Sequence, residues 1–337
     1  MDTKLQEKCD LLAENYKVVN KSAKLDFPEA ASLGALIYTG ANANASEEDI
    51  RANRALLKEK VSIINNLRGN VNIALLCKMS LAKDAEAYLD NVIEAYGLIK
   101  RGHIYHDEFE ALAATAIVDF AEPAKYDEIA QKTQEIIKKM HEVHPILTNT
   151  EDTTIAALLA MSDLDIDAKL EEAEKCYEML KGDHFKLAKD SLQSICMILA
   201  LNDMPVEEKC ARFSAIRQAL KDIGDSMTTE HLAILAALVD IEGTPEEIAA
   251  EIKEAEKYLK GKSGFGSIFG IGKQLRMVLA SAVILQTKNE ALGKAGVAQA
   301  SANALTAVIT EQIIMAIITF IIMCSILMHN SSVNTSA

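Results

Sequence analysis

Leu232–Lys260 reads LAILAALVDIEGTPEEIAAEIKEAEKYLK, and its two halves follow different rules. The first, Leu232–Leu238, is a charge-free apolar run. The second, Pro245–Lys260, is rich in charge, yet Ile248, Ile252, Ala255 and Leu259 recur at three- and four-residue steps. That spacing lays one apolar stripe along a helix of about 3.6 residues per turn. Thr244 is placed as its N-cap, Pro245 as its first helical residue, and Glu246 and Glu247 lie against the positive helix end. Gly261 is predicted to stop it. The stretch therefore reads as a hairpin of one buried helix, A, and one half-exposed helix, B.

The same unit recurs along the chain. Apolar runs begin at Ser32 (SLGALIY), Asn72 (NIALLCKM), Leu112 (LAATAIV), Ile155 (IAALLAM), Ser194 (SICMILAL), Leu232 and Arg276 (RMVLASAVIL), roughly 40 residues apart. Breaks such as SDLDID, DFAEP and LNDMP follow several runs, and charged segments such as Ala168–Lys181 and Val206–Lys221 follow the breaks. For Val206–Lys221, Asp203 is the expected cap, with Pro205 near the start and Gly224 past the end. Neither helix can bury its apolar surface alone, so stacked neighbours must supply the core. The expected fold is all-α, an array of about seven antiparallel hairpins arranged as an α-solenoid, with a closed α/α toroid as the alternative. Short loops and the lack of Trp favour the open form. The expected organisation is a capping helix over residues 1–31, the array over 32–294 with a Gly-rich link at 261–273, an apolar helix over 295–330 and a polar tail over 331–337.

Composition agrees. Of 337 residues 50% are hydrophobic but only 5% aromatic, and 5 Pro with 15 Gly leave little to interrupt helices. The formal charge of −14, from 49 acids against 35 bases, disfavours nucleic acid, whose phosphates need clustered Lys and Arg. The six cysteines, Cys9, Cys77, Cys176, Cys196, Cys210 and Cys324, show no CxxC pair and are expected as reduced thiols in the cytoplasm. The charged N-terminus lacks the apolar core of a secretory signal. Gln312–Met328 (QIIMAIITFIIMCSILM), by contrast, is 17 residues without charge. Mean hydropathy averaged over about 19 residues there is roughly +2, enough for a membrane span, and the uncharged run is at the lower limit of length. Gln312, Ile317, Phe320 and Met328 mark this candidate anchor, and Lys288 and Lys294 before it would keep the body in the cytoplasm. A buried helix closing the core is the other reading.

Chemistry-bearing motifs are sparse. Asp163, Asp165, Asp167, Glu171 and Glu174 match acidic positions of a calcium loop, but Ala168 stands where the sharp turn needs Gly. Helix capping explains the same acids. His103 and His106, with Asp107 nearby, are candidate metal ligands, and the second pair, His141 and His144 in HEVHP, lacks the spacing of a zinc protease. GKSGFGSIFGIGK (Gly261–Lys273) suggests a phosphate loop, but Ser267 replaces the first Gly and Gln274 the magnesium-binding hydroxyl, so a linker or mobile interaction loop is expected. No GxSxG elbow or paired catalytic carboxylates occur, so no catalytic residue and no cofactor is assigned. Cys176, Cys196 and Cys210 fall in helices and read as small core residues.

The chain resembles a bacterial family, mainly from Firmicutes, known as domain-of-unknown-function family four thousand and three. The similarity rests on His144-Pro145-Ile146-Leu147-Thr148 with Glu151-Asp152 and the Ile155–Met161 run, then Leu201-Asn202-Asp203, Ala219–Gly224 and the Gly-rich link into Lys273 and Arg276. It spans about residues 15–325. The resemblance implies no activity, cofactor or site residue. The functional expectation is a protein-interaction scaffold binding a protein partner along one face, possible anchorage included, with a toroidal enzyme and a calcium- or metal-binding helical protein as alternatives.

Overall fold

A computed structural model describes residues 1–22, 28–69, 72–101, 108–143, 148, 152–161, 165–182, 189–266 and 270–296. Helix α1 spans Thr3–Ser22. The apolar runs lie in α2 (Pro28–Gly40), α4 (Asn72–Leu81), α6 (Glu108–Phe120), α8 (Asp152–Met161), α10 (Lys189–Ala200), α12 (Ala233–Ala236) and α14 (Lys273–Gly296). The charged segments form α3 (Glu47–Lys60), α5 (Ala85–Ile99), α7 (Tyr126–Val143), α9 (Ile166–Leu180), α11 (Val206–Asp222) and α13 (Pro245–Lys260). No strand occurs among the described residues. The protein is all-α, with A and B helices alternating as the periodicity predicts.

Burial separates the two kinds of helix. Phe109–Ile117 of α6 and Asp152–Ala160 of α8 are buried continuously, whereas α9 buries only Ala173, Cys176 and Leu180. A fully buried Leu contributes about 1.5–3 kcal/mol, so the A helices carry most of the core. Capping follows the sequence in one place and departs from it in another. Thr244 and Glu247 close a reciprocal capping box on α13. Helix α11, however, has Pro205 as its N-cap without a side-chain bond, so Asp203 does not cap it. Proline fixes the entry angle, and Lys169 instead engages Asp203 at 3.4 Å. Gly224, at φ +79°, turns the chain past α11, and Asp225 N–H donates to the Leu220 carbonyl. Gly261 ends α13 in right-handed geometry, φ −73°, so no left-handed glycine is used there.

The described residues fall into two compact units, one of Met1–Ala13 with the chain from Asp167 onward, the other of Glu14–Ile166. In the second unit α2 lies between α1 and α4. A Cβ on Gly34 would meet Cys77 Sγ at 2.8 Å and a Val19 methyl at 2.9 Å, so only glycine permits that approach. Asn15 ties α1 to the loop after α2, donating to the Ala43 carbonyl (3.0 Å) and accepting from Ala45 N–H (2.8 Å). Asn53 on α3 donates to the Leu76 carbonyl in the middle of α4. Such side chains tie one helix to the backbone of a neighbouring segment.

In the first unit the same device is built from arginines. Arg212 on α11 donates to the carbonyls of Val239, Ile241 (2.7 Å) and Gly243 (2.8 Å). The sixth A segment correspondingly unwinds: Thr229–His231 is a 3-10 turn, α12 is one turn, and Leu238 N–H bonds to the Leu235 carbonyl. Arg276, 7% exposed, pairs with Glu256 (2.7 Å) and donates to the carbonyls of Phe265 (2.7 Å) and Ile271 (2.6 Å). Phe265 and Ile271 are fully buried, so both described ends of the Gly-rich link are packed against the helix it enters, which a free linker would not be. The start of α1 also belongs here: the Met1 ammonium lies 2.6 Å from Glu254, and Tyr258 OH donates to Asp10 at 3.0 Å.

Candidate functional site

Among the described residues, the sequence candidates are not assembled into one site. His103, His106 and Asp163 lie outside the described residues, as do Gln312, Ile317, Phe320 and Met328. Asp165 and Asp167 are exposed at the start of α9, and Glu174 is half-buried about two turns on. Among the described residues, no group of three or more His, Cys, Asp or Glu is arranged to hold a metal ion. No described helix is long and apolar enough to cross a membrane. Lys273, the basic end of the phosphate-loop-like stretch, is paired with Asp225, and Gln274 donates to the Ser226 carbonyl (3.0 Å) and accepts from Thr228 N–H (2.9 Å). Both side chains therefore brace the loop after α11.

That loop walls a recess of about 320 Å³. Its floor is Leu220, Met227, Leu232 and Leu235, all buried. Arg217 and Lys221 stand one turn apart on α11 at its rim, and Ser226, Thr228 and Thr229 line the facing side. The left-handed Gly224 sends the chain back across the helix end, and the Asp225 carboxylate is held by Lys273 and, at 3.6 Å, Lys253. Thr228 Oγ1 is 2.7 Å from His231 Nδ1, which orients one of the three hydroxyls. Two cations, hydroxyl donors and an apolar floor fit an acidic group carried on an apolar body. None of these residues is marked by a motif; the only sequence signal is a Ser/Thr-rich turn, SMTT, one helix turn past two bases.

A second cluster lies between α9, α10 and α11. Lys209, with its side chain wholly buried, pairs with Glu172 and donates to the Asn202 carbonyl at 2.8 Å. Glu172 also meets Lys169 at 3.1 Å, so the buried ammonium is neutralised and hydrogen-bonded as burial demands. Cys176, Cys196 and Cys210 are buried beside it, at 0%, 1% and 2% exposure. A hydrogen bond from Cys210 and then the Lys209 charge hold the Cys176 thiol below its usual pKa against the effect of burial. The thiols of Cys210 and Cys196 are pushed up, the first chiefly by its bond to Cys176 and the second by burial.

No curated protein and no solved structure was found to match the chain. A family model matches residues 15–315, which takes in every hairpin described above, the recess and the thiol cluster. The chain thus belongs to the family described as Protein of unknown function (DUF4003).

Proposed function

We propose that the protein is a non-catalytic helical-repeat scaffold that holds an acidic segment of a partner protein at the recess between α11 and α12. The supporting observation is the basic, hydroxyl-lined rim over an apolar floor, on a chain whose net charge is −14. Against that background, clustered Arg217 and Lys221 mark a place where an acidic partner meets local attraction rather than repulsion. Asn53 and Arg276, both buried, and the half-buried Arg212 serve instead to tie neighbouring segments together.

The test is site-specific photo-crosslinking from Thr229 in full-length protein in its native cells. The expected product joins Thr229 to an acidic segment of one protein, and Arg217→Glu with Lys221→Glu abolishes it. A product unchanged by the double charge reversal, or joined to a basic segment, overturns the reading, as does measured turnover of a small molecule bound there. The full chain is also proposed to be held at the cytoplasmic face of a membrane by Gln312–Met328, on the strength of that uncharged run. Recovery of intact protein wholly in the soluble fraction without detergent sinks that attachment.

A further inference from the structure

The recess beside α11 is polar at its mouth and apolar at its base, and that order restricts the acidic group it takes. Arg217 and Thr229 are half-buried and Lys221 and Ser226 exposed, whereas Leu220, Leu232 and Leu235 on the floor are 1%, 3% and 0% exposed. We infer that the recess receives the C-terminal residue of a partner chain, an apolar one, whose side chain rests on the floor while its terminal carboxylate meets Arg217 and Lys221 at the mouth. The inference rests on the reading that an acidic partner is held here, and names which of its groups enters.

Three observations carry it. The first is the direction of the polarity. An Asp, Glu or phosphorylated side chain enters a recess tip first, so its charge would be driven among the floor leucines and lose its water away from the cations. At a chain end the carboxylate and the side chain branch from one Cα, so an apolar side chain reaches inward while the charge stays at the mouth. Arg217 and Lys221, one turn apart on α11, share a face on which a single carboxylate accepts from both. The second is the backbone of the facing loop. The Ser226 carbonyl accepts from Gln274, Thr228 N–H donates to Gln274, and the Thr228 and Thr229 carbonyls accept from His231 and Leu232 N–H. These groups are occupied within the chain, so a segment running straight through would gain no strand-like pairing from them. The third is size. At about 320 Å³ the recess stands at the lower end of the range for small-ligand sites, which suits one large side chain with its carboxylate rather than several residues.

The test titrates full-length protein, by fluorescence anisotropy, with fluorescein-labelled hexapeptides of Gly and Ser that end in Leu. The free acid is expected to bind about tenfold or more tightly than the same peptide with an amidated end, which lacks the charged acceptor. A free acid ending in Gly, and an amidated peptide with Glu inside it, are expected to bind as weakly as the amide. Arg217→Glu with Lys221→Glu removes binding of the Leu-ended acid. Equal affinity for acid and amide, or for Leu and Gly ends, overturns the inference. Preference for the internal Glu peptide also overturns it and leaves the acidic-partner reading standing, whereas failure of every peptide to bind at millimolar concentration removes both. Octanoate that displaces the labelled peptide at lower concentration than the unlabelled peptide does assigns the recess to a small carboxylate, and overturns the inference as well. The wild-type series decides the matter even where the double variant fails to fold.

Discussion

Replacing Arg276 with Met probes how the Gly-rich link is held. The guanidinium is 7% exposed, its partner Glu256 8%, and it donates to Phe265 and Ile271 carbonyls as well as to the carboxylate. Arg276→Met keeps the aliphatic volume but leaves Glu256 buried without its cation. Breaking one side of a buried pair costs about 3–5 kcal/mol. Glu256→Leu in the same chain removes the stranded charge, leaving mainly the two lost carbonyl bonds, about 1–2 kcal/mol each. The single variant is therefore expected to lose about 4 kcal/mol and the double variant about 1–2 kcal/mol less than that, with Glu256→Leu alone near the single arginine variant. Urea unfolding followed by circular dichroism at 222 nm, run as a double-mutant cycle, measures each corner. An Arg276→Met loss below about 1 kcal/mol, or a double variant as unstable as the sum of the singles, would refute the claim that this pair is coupled and buried.

Gly34→Ala places a methyl 2.8 Å from Cys77 Sγ and 2.9 Å from a Val19 methyl, and should lower stability by about 1–3 kcal/mol; Cys77→Ala should recover part of it in thermal melts. Thr244→Ala removes the capping box of α13 and should cost about 1 kcal/mol, whereas Asp203→Ala, which removes no cap from α11, should cost about 0.5 kcal/mol or less by the same urea assay. Burial pushes the Cys9 thiol up from 9.0 to about 12 and the Tyr38 phenol from 10.0 to about 12. A raised folded pKa means that the unfolded chain ionises first, so these groups contribute stability fully below pH 9 and lose it as pH rises to 12. Urea midpoints should fall across that window, and Cys9→Ala should fall less steeply; an equal slope in both proteins would count against Cys9 as a source.

What could be read in advance was whatever repeats locally. The seven apolar runs each sit in an A segment, and the capping box on α13 lies where Thr244 and Glu247 place it. The exceptions are instructive. The cap assigned to Asp203 fails because Pro205 stands at the helix start, and the sixth run forms only a 3-10 turn and one turn of α-helix, with Arg212 bonded to the carbonyls just past it. The recess was not legible, since Arg217, Lys221 and the Ser226–Thr229 turn follow no motif and meet only when Gly224 reverses the chain.

The all-α class and the alternation of buried and half-exposed helices were already written in the residues, because each helix's apolar stripe depends on spacing within one or two helical turns, and the hairpin period follows from the recurrence of those stripes. The meeting of Asp10 with Tyr258 and the bonds from Arg276 to the two described ends of the Gly-rich link exist only once the chain is folded. Those contacts depend on where one helix crosses another. A composition of interchangeable Ala, Leu and Ile leaves that crossing to packing between side chains far apart in the chain.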